Sequence, residues 1–215
     1  MYHRVGSEPS GPAITDALTV PTAEFAVQME WLQRAGYHAI TQSRLYDALE
    51  RGGSLPRRPI VITFDDGYRD VLWNAAPILH RMRMPATEYV ITARISAGDS
   101  SFLTWRELRQ LERNGFAIGS HTEHHVVLTQ VAPAVAFREL VRSRVVLARA
   151  LGRPVRWLSY PAGAVDPAVV AMARTAGYYL AVTTRPGTLQ DGRRPLELHR
   201  LEVLDGTSLD ALLGR

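Results

Sequence analysis

The chain has no cysteine among its 215 residues. That excludes disulfides and thiolate ligands, so any bound metal must rest on histidine and carboxylate; it leaves the cellular compartment open. No apolar run approaches the ~18–20 residues of a membrane-spanning helix. Met1-Tyr2-His3-Arg4-Val5 runs directly into polar residues, so no apolar leader is expected within residues 1–215, which would lack any leader or anchor of a longer protein. No basic run is interleaved with aromatics and no helix-turn-helix pattern occurs, so nucleic acid is not an expected partner. The net charge of +4 comes from scattered arginines, which describes a solvated surface, or at most a weak attraction to an anionic polymer. Repeats, low-complexity tracts and dividing linkers are also missing. With 46% hydrophobic residues, residues 1–215 are expected to form a single domain around one core.

What is present alternates between two periods. Residues 24–35 place Phe25, Met29, Trp31 and Leu32 on one side of a helix with Thr22 as its cap, and Gly36 stops it. Further helices are expected over 43–51, 70–83, 104–114, 135–151 and 167–176. Apolar runs between them, over 37–40, 59–64, 86–92, 116–119, 155–160, 179–183 and 198–203, read as strands. The run Pro59-Ile60-Val61-Ile62-Thr63-Phe64 is apolar on both parities, the mark of a strand buried on both faces. Strands alternating with helices imply an α/β fold with a parallel sheet, open or closed into a barrel.

In such folds chemistry gathers at the carboxyl ends of the strands. Asp65 and Asp66 follow the 59–64 strand, with Gly67 permitting the turn away from it. His121-Thr122-Glu123-His124-His125 follows the 116–119 strand. His121 and His125 lie four apart, so on one helical turn both rings reach one ion; His124 is a rival ligand at three apart. Taken alone, an Asp-Asp-Gly run is commonly a turn and a histidine pair commonly surface. Together at one mouth they make a divalent-metal ligand set with one carboxylate to spare, free to serve as a base. His38 and His80 sit in ordinary contexts. Met1-Tyr2-His3 reads as the end of a first strand at the same mouth.

These segments resemble the signature motifs of the polysaccharide deacetylases, the NodB-homology domains of carbohydrate esterase family four. Thr63-Phe64-Asp65-Asp66-Gly67-Tyr68 resembles the first motif, His121 to His125 the second and Tyr160-Pro161-Ala162-Gly163 the Tyr-Pro-x-Gly third. Met1 to Val5, Ala176-Gly177-Tyr178 and Ala181-Val182-Thr183-Thr184 are similar to further segments, so the likeness covers nearly the whole chain. The resemblance implies a distorted (β/α) barrel of about seven strands. It implies one divalent metal on Asp66, His121 and His125, usually zinc, with cobalt, nickel or manganese as alternatives. It also implies Asp65 as catalytic base and the Ala162 N–H as oxyanion donor, while Thr122 braces the loop.

The departures matter. Ser159 stands where many members carry an arginine that holds the catalytic aspartate, and Arg156 is too far upstream to align. Arg200 is expected to supply that charge from the last strand. A late histidine usually protonates the leaving amine, and His199 is the only one after residue 125. It adjoins Arg200, however, and neighbours on a strand face opposite ways; His3 is the other candidate, and the family's late Asp-Trp pattern is absent. Tyr68, Trp105 and Tyr160 are candidate sugar-stacking residues, with Trp157 assigned to the core. The resemblance points to an acetylated glycan, foremost a β-linked N-acetylglucosamine polymer, and to an extracytoplasmic or cell-envelope setting. A small-molecule amidase or O-acetyl esterase of the same superfamily, or a non-catalytic carbohydrate-binding relative, remains as an alternative.

Overall fold

The protein is described by a computed structural model covering residues 1–6 and 17–214. Strands β1 (Arg4–Gly6) and β2 (Thr19–Pro21) pair with each other, as do β3 (His38–Ala39) and β4 (Pro59–Ile60). The other five are β5 (Ile62–Phe64), β6 (Ala86–Val90), β7 (Phe116–Ser120), β8 (Trp157–Ser159) and β9 (Leu180–Val182). They form one parallel sheet in chain order, curled into a half-barrel. Parallel neighbours need long crossovers, which helices supply here. In chain order the helices are α1 (Thr22–Arg34), α2 (Gln42–Arg51), α3 (Ala76–Arg81), α4 (Thr92–Ala97), α5 (Trp105–Arg113), α6 (Pro133–Leu151), α7 (Pro167–Thr175) and α8 (Leu209–Leu212).

Five strands are fewer than the seven or so expected. Two extended segments lie against the sheet's edges without forming regular strands: Tyr2 bridges to Phe64 at one edge and Leu198 to Val182 at the other. These segments also meet. The Met1 amine donates to the Leu201 carbonyl at 2.7 Å and the Val203 N–H to the Met1 carbonyl at 2.9 Å.

Both faces of the curled sheet are apolar because each packs on something. Phe64 lies between the sheet and α1, with Tyr2, Phe25 and Phe116 rings 5.6, 5.9 and 5.8 Å away. In α1, buried Phe25, Gln28, Met29 and Leu32 recur at helical spacing and face this layer. Pro21 rather than Thr22 occupies the cap position, and Trp31 stacks on Tyr37 at the margin. The opposite face of the sheet gathers Tyr89, Trp157, Leu180, Val182 and Leu198 with Leu45 and Leu49 of α2. Gly119 lies opposite Tyr89, and a Cβ there would stand 2.4 Å from the ring. Only glycine lets the tyrosine lie across the strand.

One expected helix is divided. Residues 70–83 hold a π-helical turn, Val71–Ala75, followed by α3. Pro77 has no N–H to complete the ladder, and its ring pushes on the preceding turn. The expected strand 86–92 ends at Val90, and Thr92 begins α4 instead.

Candidate active site

The turn after β5 carries Asp65, Asp66 and Gly67. Its backbone is unusual, with φ of 78° at Asp66 and 87° at Gly67, the left-handed region that costs a residue bearing a Cβ. Three bonds hold it there. The Ile91 N–H donates to the Asp66 carbonyl, the Leu103 N–H to the Gly67 carbonyl, and the Gly67 N–H to the buried Glu88 carboxylate at 3.0 Å. The loop after β7 is similarly constrained, with φ of 67° at Thr122 and 62° at His125. The expected helical turn from 121 to 125 is therefore absent. Left-handed residues in an irregular loop bring the two imidazoles together, 4.7 Å apart between ring centres.

Asp65 is clamped. Arg200 Nη1 donates to its Oδ1 at 2.8 Å and Nη2 to its Oδ2 at 2.7 Å, a bidentate pair, while the Ser159 hydroxyl donates to Oδ2 at 3.0 Å. The other guanidinium donors reach the Thr183 carbonyl, the Thr63 hydroxyl and Ser159 Oγ, so all five N–H groups of Arg200 are used. Burial by itself would raise the Asp65 carboxyl. The Arg200 charge, His121 and the Arg200 hydrogen bonds outweigh it and hold the group well below the usual carboxylate range.

Asp66 behaves in the opposite way. Burial and the neighbouring Asp65 charge push it up to about 7. Its Oδ1 is buried with no hydrogen-bond partner among the described residues. That oxygen lies 3.5 Å from His121 Nε2 and 3.6 Å from His125 Nε2. Neither contact is an ion pair near neutral pH. Burial lowers His121 to about 4, and burial likewise lowers His125. His121 Nδ1 faces the Ser159 carbonyl at 2.8 Å, so it carries the proton and Nε2 presents its lone pair. Three electron-pair donors thus converge on one point, all within 4.8 Å of one another. Separations of 3.5 and 3.6 Å approach the roughly 3.3–3.4 Å ligand spacing of a tetrahedral ion with bonds of about 2.0–2.1 Å. The residues fit a divalent metal, and the orphaned Asp66 oxygen is the clearest sign of it.

The remaining expected residues are distributed around this centre. His3 follows the Tyr2–Phe64 bridge and is near enough for its charge to act on both Asp65 and His125. His199 is turned away from the site, against Gly187, with its backbone bonded to Gln190. Alternation gives the inward position to Arg200, so the late-histidine expectation does not hold for this geometry. Ala162 lies in a 3₁₀ turn after β8 with φ of 55°, and its N–H meets no acceptor among the described residues. Tyr68 sits at the rim, stacked on Phe102 at 4.8 Å with the Arg4 guanidinium 4.9 Å from its ring centre. Tyr160 is fully buried and donates its hydroxyl to the Leu196 carbonyl, so it presents no face to a sugar. Trp105 packs against the main core at the start of α5.

Sequence reasoning missed Glu88 and Glu139. Glu139, on α6, accepts the N–H groups of Glu123 and His124 and meets His124 Nδ1 at 2.8 Å. Neither glutamate belongs to a recognisable motif. Glu88 had one available signal, a lone acid inside the apolar run Ala86 to Val90.

An α/β half-barrel with carboxylates and imidazoles converging where its strands end describes a class of hydrolases. The comparisons narrow the class: the sequence model of the polysaccharide deacetylase family matches residues 52–181, and the chain belongs to that family. It is an enzyme of the NodB-homology deacetylases. It is 31% identical to YxkH of Bacillus subtilis (strain 168) over 208 residues, 97% of this chain and 71% of that protein. It is 25% identical over 174 residues to the poly-β-1,6-N-acetyl-D-glucosamine N-deacetylase of Staphylococcus aureus (strain MRSA252), covering 74% of this chain and 59% of that one. Among solved structures it is similar to the Streptococcus pyogenes deacetylase PplD in complex with acetate. That match has a TM-score of 0.91 and 27% identity, covering 99% of this chain and 94% of that one. No helix among the described residues is long and apolar enough to cross a membrane.

Proposed function

We propose that residues 1–215 act as one metal-dependent deacetylase domain removing acetyl groups from an N-acetylated glycan, foremost a β-linked N-acetylglucosamine polymer. The observation that carries this reading is the pairing of opposites at Asp65 and Asp66. One carboxylate is held ionised by Arg200, and the next has a buried oxygen with no partner between two imidazole lone pairs.

Asp66, His121 and His125 would hold the metal. A donor set of two nitrogens and one oxygen suits zinc and also accepts cobalt, nickel or manganese. When bound, the ion supplies Lewis acidity that makes water nucleophilic near neutral pH. Asp65 takes the proton of the attacking water, which requires it to be ionised, and Arg200 keeps it so. Addition of the water oxygen to the acetamide carbon turns the carbonyl oxygen into an oxyanion, to which the unpartnered Ala162 N–H donates; its collapse re-forms the carbonyl and breaks the C–N bond. The departing nitrogen must leave as an amine. His3, whose charge is felt at Asp65, is the candidate to protonate it, rather than His199, which lies against Gly187. Tyr68 remains as a rim residue that can meet the sugar by its edge and hydroxyl.

The glycan is suggested by the S. aureus relative's own substrate, and acetyl removal by the acetate complex of the S. pyogenes deacetylase. A polymer of that kind implies an extracytoplasmic or cell-envelope setting. The test is acetate release from N-acetylglucosamine oligomers by the metal-loaded and chelator-stripped protein. Release only with metal is expected. A folded, metal-loaded protein that frees acetate from O-acetylated sugars or small amides but not from these oligomers would overturn the substrate assignment.

A further inference from the structure

The loop from His121 to His125 poses a hydrogen-bonding problem, because its two left-handed residues turn successive N–H groups away from any strand partner. Side chains answer for all four. The Thr122 N–H donates to Ser120 Oγ at 3.1 Å and the His125 N–H to Thr122 Oγ1 at 3.1 Å. The two between them, Glu123 N–H and His124 N–H, both donate to Glu139 Oε2, at 3.0 and 2.7 Å. Glu139 Oε1 lies 2.8 Å from His124 Nδ1, and Arg142 Nε lies 3.3 Å from Glu123 Oε1. Ser143, one turn along α6 from Glu139, receives the Ser120 hydroxyl at 2.8 Å. One face of α6 therefore holds the loop at two points. Glu139 is 6% exposed, a buried carboxylate whose charge is satisfied by this loop.

We infer that Glu139 is a positioning residue for His125 and, less strongly, His121. Here the inference rests on the reading that these imidazoles share a metal with Asp66. His121 has a second anchor through the Ser159 carbonyl. His125 has a half-exposed ring, so its place depends on the backbone that Glu139 fixes. A cation at Glu123, His124 and Glu139 themselves is disfavoured, because Arg142 and two N–H groups already occupy those carboxylates. Glu139 touches no reacting atom and acts only through the loop.

Two measurements on the intact chain test this. In metal-free protein, amide hydrogen exchange at Glu123 and His124 should accelerate at least tenfold in Glu139→Ala, with the β-sheet amides unchanged. In a Co²⁺ titration the same variant should bind about 10–100-fold more weakly, the usual cost of losing outer support for a metal ligand, with an altered visible spectrum. Glu139→Gln should stay within about threefold of the parent in both, because its amide oxygen can accept the same two N–H groups. His124→Ala should do likewise. If Glu139→Ala does not fold, Glu139→Asp, which withdraws the carboxylate by one methylene, is expected to show the same losses. Parent-like exchange and Co²⁺ affinity in a folded Glu139→Ala would overturn the inference, as would Gln behaving like Ala. A parent protein that binds no Co²⁺ would sink the metal reading instead, and the exchange experiment would still decide whether Glu139 holds the loop.

Discussion

At the scale of single residues, Arg200 and Asp65 explain each other. A guanidinium 6% exposed and a carboxylate 3% exposed are stable inside the sheet's curl only as a pair, and every donor of Arg200 has an acceptor. Arg200→Ala should leave Asp65 buried without its counter-charge, at a cost of about 3–5 kcal/mol of stability. Burial would then be opposed only by the weaker effects of His121, His3 and the Ser159 hydroxyl, so the Asp65 pKa rises and the base stays protonated to higher pH. The acid limb of the kcat/KM profile should therefore move to higher pH; an unmoved limb would remove Asp65 from the role of base. Glu88 offers a second case. Burial, then the Asp65 charge, raise it well above an ordinary glutamate. Its folded pKa exceeds the unfolded value near 4.5, so stability falls as pH rises from there toward the folded value. Glu88→Gln keeps the acceptor for the Gly67 N–H and removes the ionisation, so it should raise Tm at pH 8 more than at pH 5. An equal shift at both pH values would mean Glu88 is ionised in the fold. Much at this scale was legible beforehand. The Asp-Asp-Gly turn and the 121–125 histidines announce themselves by chemistry, and strand alternation alone set Arg200 against His199. Tyr160 was misleading because a motif tyrosine looks the same whether it faces a sugar or anchors a core through its hydroxyl.

Elements carry the site by ending abruptly. β5, β7 and β8 each stop in a turn containing a non-glycine residue with positive φ, namely Asp66, Thr122 and Ala162, and backbone strain of that kind persists only where neighbours over-determine it. The turn after β5 was legible from its Asp-Asp-Gly run, but the left-handed backbone at Asp66, Thr122 and Ala162 was not. Spacing of four suggested a helix from 121 to 125, but helical geometry would leave the loop N–H groups unable to reach Ser120 and Glu139. The oxyanion role of Ala162 cannot be tested by changing its side chain, since the donor is backbone. Gly163 provides the handle. Its φ is 64°, and an added Cβ would stand 2.1 Å from Thr184 Oγ1 and 2.4 Å from Thr184 N. Gly163→Ala must therefore displace the turn that aims the Ala162 N–H. Loss of one such donor costs about 10²–10³ in kcat, so a displaced one should lower kcat at least tenfold with KM within about twofold. A rise in KM at constant kcat would assign the turn to substrate binding instead.

For the whole molecule, the parallel α/β class followed from alternating periods, whereas the order of the strands and the closure of the curl did not. The Met1 and Val203 segments meet through two backbone bonds between residues some two hundred apart, a pairing that no local pattern encodes. The turn after β5 and the loop after β7 flank the end of β6 at one edge of a core already complete without them. The largest fully buried side chains, including Tyr89, Phe25, Phe64, Leu108 and Leu111, lie outside the proposed ligand group. The stripped protein is therefore expected to keep its far-ultraviolet circular dichroism and to melt cooperatively. Metal should then add stability by mass action alone, about 2.7 kcal/mol at a free concentration one hundred times Kd. For a chain of this length each kcal/mol moves Tm by about 2–4 °C, so Zn²⁺ should raise it by roughly 5–11 °C. Asp66→Asn, which supplies a weaker neutral oxygen, should erase most of that rise while leaving the stripped Tm close to the parent's. Collapse of the parent on chelation would instead make the metal part of the fold, and an unchanged Tm on adding Zn²⁺ would mean that Asp66, His121 and His125 do not share an ion.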